Sequence, residues 1–518
     1  MLGYLLAVLL LAVPFYIRQL RSGNAQRRKD LLKSLGQSEI CDRKIVGFFH
    51  PYCNAGGGGE RVLWTAIAFM QRTEPDIVSI VYSGDTDATK EEILDKVKAR
   101  FAIILSPELV HFVFLESRRF VEDSTWPRFT LLGQSLGSMY LAWEAVSKLI
   151  PDLYIDTMGY AFTFHVVSLL AGIPVGAYVH YPTISTDMLA RVQSRRQWHT
   201  NSSAISSSSI LSQGKLLYYR LFMYHYAQAL RRVSFLMANS SWTKNHVDSI
   251  LAYSDPLLDT MHLPFKILAY PFTTVLELVL APVPSRVDSL SRRTSKEAKI
   301  VYPPCDTRAM SSFPLEGRER IILSIAQFRP EKDHPMQLHA LSKLLLAHPE
   351  YKAPFVGAQG GVRLVLIGGS RNEEDSARVE SLRALARELH VEEHVEFMIN
   401  ASYPAMLSYL ERASVGLHTM VDEHFGISVV EFMAAGVIPV AHASAGPLLD
   451  IIVPVNGELT GYHATTAETF AEKLYEALTL SKDSDLALRQ RARQWATMTF
   501  SEQEFEKGWE GSEWKKWL

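Results

Sequence analysis

Two glutamates with seven residues between them, Glu423 and Glu431, enclose the pair Phe425-Gly426 in the stretch DEHFGISVVEFMAAG (422–436). Each carboxylate can accept hydrogen bonds from hydroxyl groups, so the two together can hold separate parts of one hydroxyl-rich ligand. The glycine between them lets a ligand approach the backbone closely, because no Cβ intervenes. These residue types indicate a binding site for a polyhydroxylated ligand.

The elements around this stretch predict how its residues are positioned. An apolar run, ASVGLHT (413–419), predicts a strand, and the residues from Ile427 onward predict a helix. The first amides of a helix have no intrahelical partner and carry a partial positive charge, which suits a phosphate. Glu431 follows after roughly 7.5 Å of helix rise, a distance that suits a ribose attached to that phosphate. Glu423 precedes the helix and is expected to face the group on the far side of the phosphates.

A cationic loop, QFRPEKDHP (327–335), follows another predicted strand at the equivalent position. Arg329 and Lys332 in this loop would neutralise a diphosphate and stabilise the negative charge that develops on a leaving group. Such a pair is more often solvated surface charge, but its place after a strand favours the functional interpretation. His180 likewise ends an apolar run (174–180), so it is predicted to contact the donor or the transition state rather than to be only structural.

Four consecutive glycines, Gly56 to Gly59, follow an apolar run and open a helical pattern. They do not match the dinucleotide fingerprint, because Arg61 stands where the third glycine belongs, and no Gly-Lys-Ser/Thr follows as a P-loop requires. Two interpretations remain. Either Gly57, Gly58 and Gly59 bring the backbone close to a bound donor, or the run is only a tight turn.

Apolar runs of strand length alternate with helical patterns in two series along the chain. Such alternation is typical of parallel sheets covered by helices on both faces, and 518 residues are too many for a single core. We therefore predict an α/β protein with two Rossmann-like, doubly wound domains that face one another across a cleft. The predicted strands are 44–50, 76–84, 111–117, 152–157, 174–180, 320–328, 362–369, 394–399, 413–419 and 437–443.

The predicted domains follow from this alternation and from the two ends of the chain. They are a transmembrane anchor (1–17), a basic juxtamembrane linker (18–43), an N-terminal Rossmann-like domain (44–310), a C-terminal Rossmann-like domain (311–490) and a closing helix (491–518). The tryptophans near the C-terminus, beside Lys515 and Lys516, have a second interpretation as a membrane-interface contact.

The first 17 residues contain no charge. A helix of that length spans about 26 Å, close to the apolar core of an endoplasmic-reticulum bilayer at about 27 Å. Basic residues follow the run instead of preceding it, which favours an uncleaved single-pass anchor with a cytosolic body over a cleaved signal peptide. A buried N-terminal helix is the remaining alternative. With a cytosolic body, the sequons at Asn201, Asn239 and Asn400 are expected to stay unglycosylated.

Three segments depart from the alternation. Residues 192–214 are serine-rich and predict a loop. An insertion at about 252–296 contains an apolar run, and is either a membrane-dipping segment or a small packed excursion. Residues 214–232 mix Tyr218, Tyr219 and Arg220 with leucines at helical spacing, which suits either a membrane interface or a core helix whose arginines reach the surface.

The net charge and the cysteine count of the chain bear on which partners and ligands are expected. A net charge of -2 gives no reason to expect a nucleic-acid partner. Three cysteines are too few for a disulfide framework and show no metal-ligand spacing.

These motifs together resemble the retaining glycosyltransferases of family 4, which have the GT-B fold, over nearly all of the chain from about residue 44. The family's glutamate-x7-glutamate signature is matched by Glu423 and Glu431, and its diphosphate-binding arginine and lysine by Arg329 and Lys332. The glycine loop of the family is matched by the four consecutive glycines. The commoner family pattern has arginine where this chain has Gln327.

More narrowly, several stretches are similar to the dolichyl-linked-oligosaccharide α-1,2-mannosyltransferases of asparagine-linked glycosylation. These are FFHPYCNAGGGGERVLW, DTMGYAF, YVHYPTIS, ANSSWT, VYPPCDT, QFRPEKDHP and DEHFGISVVEFMAAG. The resemblance implies transfer of mannose from GDP-mannose to the dolichyl-diphosphate-linked core oligosaccharide, adding the fourth and fifth mannoses at the cytosolic face of the endoplasmic reticulum. The membrane and other mannosyltransferases of the pathway are then candidate partners.

The resemblance also implies that residues 44–310 form the acceptor domain and residues 311–490 the donor domain. The predicted site follows from the residues and the resemblance together. Its catalytic residues are Glu423, His180, Lys332 and Arg329, and no cofactor or metal is expected. Its donor-binding residues are Gly57, Gly58, Gly59, Arg329, Lys332, Glu423, Phe425, Gly426, Ile427 and Glu431.

Other functions remain open at this point. One alternative is another lipid-acceptor transferase of family 4, and a second is a membrane-tethered scaffold that keeps the fold without activity. A nicotinamide-dependent oxidoreductase is disfavoured by the broken fingerprint at Arg61.

Overall fold

A computed structural model describes residues 2–36, 43–184, 209–262 and 297–518, with only the course of the backbone for 2–11 and 209–212. Asn201, Cys41, and most of the serine-rich segment and of the insertion lie outside the described residues. The helical pattern at 214–232 is confirmed, but the helix begins earlier, at Ser209, within the segment predicted as a loop.

The first sheet has seven parallel strands in the order β3-β2-β1-β4-β5-β6-β7. The central strands are buried, apart from Lys44 at the start of β1, because helices cover both faces, and their sequences are therefore continuous apolar runs. The strands are β1 (Lys44–Phe49), β2 (Ile77–Ser83), β3 (Val110–Phe114), β4 (Leu153–Asp156), β5 (Val175–Val179), β6 (Phe235–Ala238) and β7 (Lys299–Ile300). The helices are α1 (Leu2–Ser22), α2 (Asn24–Ser34), α3 (Gly58–Thr73), α4 (Lys90–Phe101), α5 (Thr130–Lys148), α6 (Thr163–Val166), α7 (Ser209–Leu230) and α8 (Ser241–Ala252).

The second half repeats the same plan with six parallel strands in the order β12-β11-β8-β13-β14-β15, beside a small β9–β10 hairpin. The strands are β8 (Glu319–Ile325), β9 (Phe355–Val356), β10 (Gln359–Gly360), β11 (Arg363–Gly368), β12 (Val395–Ile399), β13 (Ala413–His418), β14 (Ile438–His442) and β15 (Tyr462–Ala464). The helices are α9 (Arg308–Ser311), α10 (His334–Ala347), α11 (Glu373–Glu388), α12 (Tyr403–Arg412), α13 (Ile427–Ala435), α14 (Ala467–Leu478), α15 (Lys482–Phe500) and α16 (Glu502–Gly511).

Each sheet contains a point at which the direction of winding reverses. In the first sheet β1 lies between β2 and β4, and in the second β8 lies between β11 and β13. The loops after neighbouring strands at such a point separate from one another and leave room for a ligand at the carboxyl edge. The glycine run follows β1, and the loop that carries Lys332 follows β8.

The chain divides into two compact units, and neither is one continuous stretch. The first unit comprises residues 1–239, 243–301 and 508–518, and the second comprises 240–242 and 302–507. The division falls at Val301, before the predicted boundary at 310. The physical reason is that β7 still pairs with β6, whereas Tyr302 packs its ring on Phe425 and Phe500 of the second unit.

The predicted C-terminal closing helix is three separate elements: the end of α15, then α16, then a short 3-10 turn at Trp514–Trp517. Trp509 and Trp514 are completely buried, and Trp509 stacks on Phe48 of the first sheet at 6.3 Å between ring centroids. These two tryptophans therefore pack in the core of the first unit and do not form a membrane-interface contact.

Helix α7 serves mainly as a core helix. Phe222, Met223 and Tyr226 are buried in the first unit, and Arg220 pairs with Asp255 at 2.7 Å. Within the described ranges, no helix combines the length and the apolar character that crossing a bilayer requires. The anchor predicted at 1–17 falls on α1, where side chains are described only from residue 12 onward, and it stays a prediction.

Candidate active site

Two loops meet at the carboxyl edge of the second sheet because β8 and β13 are adjacent and parallel. Thr419, the first residue after β13, ties them together. Its Oγ1 lies 3.0 Å from the carbonyl oxygens of both Lys332 and Asp333, and it accepts a hydrogen bond from Gln337 Nε2 at 3.0 Å. The backbone around Lys332 is thereby held against the start of the glutamate loop.

Lys332, Glu423 and His418 form a polar cluster at this edge. Lys332 Nζ lies 2.5 Å from Glu423 Oε2, and His418 Nε2 lies 3.1 Å from the same oxygen. Burial alone would raise the pKa of the Glu423 carboxyl, but the Lys332 ammonium and His418 hold it well below its usual range. Glu423 is therefore an ionised carboxylate in a largely enclosed position.

The start of α13 depends on Gly426, which precedes the first helical residue with a φ of 109°. A side chain is strained in that backbone conformation, so the turn requires glycine. The Phe425 side chain is 3% exposed and packs on Phe500 at 5.5 Å between ring centroids. Only the backbone of Phe425 can meet a ligand, and its buried ring fixes where the helix begins beside Ile427.

A third loop, which follows β14, supports the glutamate loop. Gly446 N donates to the Glu423 carbonyl at 2.9 Å, and Ser444 Oγ accepts from Asp422 N at 2.8 Å. A Cβ on Gly446 would lie only 2.4 Å from the Phe425 carbonyl oxygen. The short sequence HASAG (442–446) was not predicted to take part, although its small residues after a strand are a signal of close backbone approach.

Asp450 links a distant segment to the same unit. This carboxyl is 4% exposed and accepts hydrogen bonds from Ser241 N at 3.0 Å and from the Tyr302 hydroxyl at 2.9 Å. Burial raises the pKa of Asp450. The neighbouring Trp242 ring lies 5.2 Å from His424, so residues 240–242 of the ANSSWT motif pack beside the glutamate loop.

The other predicted residues of the second unit lie in different surroundings. Glu431 is half-buried in α13, four residues after its first residue. Arg329 precedes the 3-10 turn Pro330–Lys332. Its Nη1 lies 3.7 Å from Glu331 Oε1, and its side chain is 37% exposed. Of the two predicted cations, the structure therefore places Lys332, and not Arg329, against Glu423.

The glycine run forms the turn between β1 and α3 in the first unit. Gly56 has a φ of 83°, and Gly57 N donates to Glu60 Oε2 at 2.6 Å. A Cβ on Gly59 would lie 3.6 Å from His180 Nε2. The structure thus brings the glycine run and His180 together, and α3 begins at Gly58.

Glu60, His50 and Thr157 connect the glycine turn to His180. His50 Nδ1 lies 2.8 Å from Thr157 Oγ1 and its Nε2 lies 3.6 Å from Glu60 Oε1, while His180 Nε2 lies 3.1 Å from the Thr157 carbonyl. Burial acts to raise the pKa of Glu60, but His50 and the Gly57 amide lower it overall. None of the three was predicted, although His50 and Thr157 each follow a strand directly.

The predicted site residues thus fall into two groups. The glycines and His180 belong to the first unit, and all the others belong to the second. Among the described residues, no group of three or more His, Cys, Asp or Glu side chains is arranged to hold a metal ion. Metal independence stays a prediction.

Comparisons with known proteins match both halves of the chain. The family described as "ALG11 mannosyltransferase N-terminus" matches residues 43–251, and the family "Glycosyl transferases group 1" matches residues 306–495. Among solved structures, the Candida albicans trehalose-6-phosphate phosphatase N-terminal domain has a TM-score of 0.58 at 12% identity, covering 90% of this chain and 95% of that one. The Anabaena protein HepE in complex with UDP and glucose has a TM-score of 0.53 at 13% identity, covering 92% and 100%. Likenesses at such low identity show the fold alone.

The two parallel α/β units and these matches define the class as a glycosyltransferase with the GT-B fold. Relatives named "GDP-Man:Man(3)GlcNAc(2)-PP-Dol alpha-1,2-mannosyltransferase" include the human protein, 42% identical over 97% of this chain and 92% of its own length. The Caenorhabditis elegans protein of the same name is 40% identical over 90% of each chain. The chain belongs to this family of alpha-1,2-mannosyltransferases.

Proposed function

We propose that this chain is a retaining α-1,2-mannosyltransferase that moves mannose from GDP-mannose to dolichyl-diphosphate-linked Man3GlcNAc2, adding the fourth and fifth mannoses of the N-glycan precursor. The names of its relatives support this donor and acceptor. The structural observation that carries the proposal is the ionised Glu423, paired with Lys332, directly before the glycine start of α13.

The diphosphate of the donor binds at the start of α13. The amides of Ile427 and Ser428 come before the first helical hydrogen bonds, which Val429 and Val430 donate to the Gly426 carbonyl, and Gly426 leaves the backbone open to close approach. An ammonium has three donor hydrogens, so Lys332 can keep its bond to Glu423 and still donate to a phosphate oxygen. Arg329, in the same loop but paired with Glu331, is the second candidate cation.

The two glutamates bind the two ends of the donor. Glu423, which accepts from Lys332, is oriented to accept further hydrogen bonds from the hydroxyl groups of the mannose. Glu431, one turn further along α13, accepts from the two hydroxyls of the ribose. Gly57, Gly58, Gly59 and His180 stay predicted donor and catalytic contacts contributed by the first unit.

The reaction breaks the bond between the mannose anomeric carbon and the diphosphate oxygen, and forms a bond from that carbon to an acceptor hydroxyl. Negative charge grows on the departing GDP, so fixed amides and the Lys332 ammonium stabilise the transition state more than the bound substrate. In a same-face attack the acceptor proton passes to the leaving diphosphate, which leaves GDP and the α-linked product. These residues supply the charge stabilisation, so we propose that no metal is required.

We place the chain at the cytosolic face of the endoplasmic reticulum, held by a single-pass anchor at residues 1–17. The acceptor carries a dolichyl chain that stays in the bilayer, so the enzyme must work beside the membrane. Other mannosyltransferases of the pathway are proposed partners.

A turnover assay tests the proposal. The purified full-length chain is incubated with GDP-mannose and lipid-linked Man3GlcNAc2, with and without EDTA, and the product is digested with an α-1,2-specific mannosidase. We expect the chain to add one and then two mannoses, with or without EDTA. The α-1,2-specific mannosidase should remove both. Transfer from UDP-sugars, or to a different lipid acceptor, would indicate another family 4 transferase, and no turnover with any donor would indicate a scaffold.

A further inference from the structure

Helix α5 carries an apolar face that the core does not use. Leu132, Leu136, Tyr140 and Trp143 are 44%, 54%, 48% and 36% exposed, and their spacing places them on one side of the helix. The opposite side of α5 is already buried in the core of the first unit. This helix is therefore apolar on two faces, and only one of them packs on the protein.

The exposed face continues onto the neighbouring helices. At one end, Phe129 is 69% exposed and its ring lies 5.9 Å from that of Tyr218 in α7. At the other end, Trp143 Nε1 donates to the Tyr16 hydroxyl of α1 at 2.9 Å, beside Phe15, which is 67% exposed. We call Phe15, Phe129, Leu132, Leu136, Tyr140 and Trp143 the α5 surface. It runs for about 21 Å along α5 by helix rise.

The chemistry of the α5 surface matches a bilayer boundary. Contiguous apolar patches of this kind mark interaction sites in soluble proteins. Tyrosine and tryptophan combine an apolar ring with a polar tip, and such residues concentrate where acyl chains meet headgroups. The segments that carry the surface, 15–36 and 118–148, contain ten basic and four acidic residues, and two of the basic residues, Arg28 and Arg118, pair with Asp152 and Asp85 outside these segments. The whole chain has a net charge of -2. This local excess of positive charge complements anionic lipid headgroups.

Continuity with α1 favours a bilayer over a protein partner as the occupant. Phe15 and Tyr16 lie at the end of the uncharged N-terminal run, residues 1–17, which is the predicted anchor. A face that is continuous with an anchor lies at the membrane surface once that anchor is inserted.

We propose that the α5 surface is a membrane-docking face of the first unit, which rests on the headgroup–acyl boundary of a bilayer containing anionic lipid. The inference deepens the proposed function and rests on it, because a lipid-linked acceptor is confined to the bilayer. The anchor alone would leave the first unit free to turn, whereas this second contact holds it in one orientation.

Lipid quenching tests the contact directly. The full-length chain is reconstituted into phosphatidylcholine–phosphatidylserine vesicles with an environment-sensitive fluorophore on Leu136→Cys, or on Leu346→Cys in α10 as the matched control. Leu346 is 66% exposed, and the native Cys53 and Cys305 are buried, so they do not compete for label once Cys41 is replaced by serine. We expect spin-labelled lipids to quench the label at position 136 several-fold more than that at position 346. Equal quenching at both positions, or quenching at neither, would overturn the proposal, and so would a label at position 136 that is shielded by self-association without lipid.

A kinetic test separates docking from folding. The double variant Leu132→Glu/Leu136→Glu places charge on the α5 surface, and Leu346→Glu is its control. We expect transfer to a vesicle-embedded acceptor to fall by about tenfold or more in the double variant, with an unchanged rate on a water-soluble acceptor that has a short prenyl chain. A similar loss on both acceptors would overturn the docking role. If the wild-type chain transfers no mannose to either acceptor, the proposed function fails, and the quenching experiment still decides the docking proposal.

Discussion

Lys332 and His418 both reach one oxygen of Glu423, and their joint effect keeps that carboxylate ionised where burial would otherwise favour its protonated form. The sequence predicted Glu423 and Lys332 as site residues but not that they would meet. Their contact depends on β8 and β13 being neighbours, although almost a hundred residues separate the two loops along the chain. His418 was not predicted, although it ends β13 just as His180 ends its apolar run.

The ion pair between Lys332 and Glu423 predicts that the wild-type chain and Glu423→Gln differ in their free energy of unfolding, and that this difference depends on pH. The folded-state pKa of Glu423 is depressed, so the stabilisation is fully present above the ordinary glutamate pKa of about 4.3 and is lost as pH falls toward the folded value. At pH 7 the variant should lose about 1–3 kcal/mol of unfolding free energy. Urea unfolding should show that the difference in unfolding free energy between wild type and variant is constant from neutral pH down to the ordinary glutamate pKa. Below that pH the difference should shrink.

The control for this prediction is Glu331→Gln. Glu331 is 39% exposed and lies 3.7 Å from Arg329, so solvent screens the pair and the unfolding free energy should hardly change. A Glu423→Gln difference that stays constant well below the ordinary glutamate pKa would contradict the assignment.

We expect substitution of Glu431 to lower the affinity for the donor rather than the stability of the chain. Glu431→Ala removes a carboxylate that accepts hydrogen bonds from two ribose hydroxyls, so it should weaken binding of both GDP and GDP-mannose by about 10- to 100-fold. Isothermal titration calorimetry measures both affinities. Glu388→Ala, which alters an exposed glutamate of α11, should leave them unchanged. Unaltered donor affinity in Glu431→Ala would remove this residue from the site.

Elements were predicted more completely than side-chain contacts. All ten apolar runs form strands. Burial between two helical layers imposes a continuous apolar pattern on the central strands, whereas the edge strand β12 is only partly buried. The strands that were missed, such as Phe235–Ala238, Lys299–Ile300 and Tyr462–Ala464, have only two to four residues and are too short for a pattern to stand out. The aromatic-basic helix α7 was ambiguous for the opposite reason, since core and membrane-interface helices share its composition.

The backbone conformation at the start of α13 leads us to expect that Gly426→Ala lowers both the stability of the chain and its affinity for the donor. The φ of 109° at Gly426 strains any side chain, so the variant should lose about 1–2 kcal/mol of stability. Donor affinity should fall as well, because the helix amides shift. Gly457→Ala is the matched control, since Gly457 also has a positive φ, 81°, and open space around its Cβ position. It should lose stability without any loss of GDP affinity. Equal GDP affinities in the two variants would show that the start of α13 does not bind the donor.

At the scale of the whole molecule, the chain passes between its two units more than once. Residues 508–518 return to the first unit, where Trp509 and Trp514 are fully buried. No local pattern reveals which unit a C-terminal segment joins, and tryptophans beside lysines suit an interface as well as a core. The predicted orientation of the whole chain in the membrane rests on the charge that follows its apolar N-terminus.

Glycan mapping checks that orientation. Asn400 is exposed in the folded chain, so a lumenal body would present its sequon to solvent. We expect peptide mass spectrometry of the native membrane protein to show Asn400 unmodified, because a cytosolic body never meets the glycosylation machinery. The same chain fused to a cleavable signal peptide is the control and should acquire a glycan there. A glycan at Asn400 in the native protein would place the body in the lumen.

Local patterns were enough to predict the class of fold, the loops that carry the candidate site and the family resemblance, because burial imposes periodicity and ligand approach imposes glycine at local positions. Contacts between distant segments could be read only from the folded chain: Lys332 rather than Arg329 pairs with Glu423, Glu60, His50 and Thr157 connect the glycine turn to His180, and Trp509 and Trp514 are core residues. Those facts depend on which strands become neighbours. Strand order is set by the packing energy of the whole sheet, which no single stretch of residues encodes.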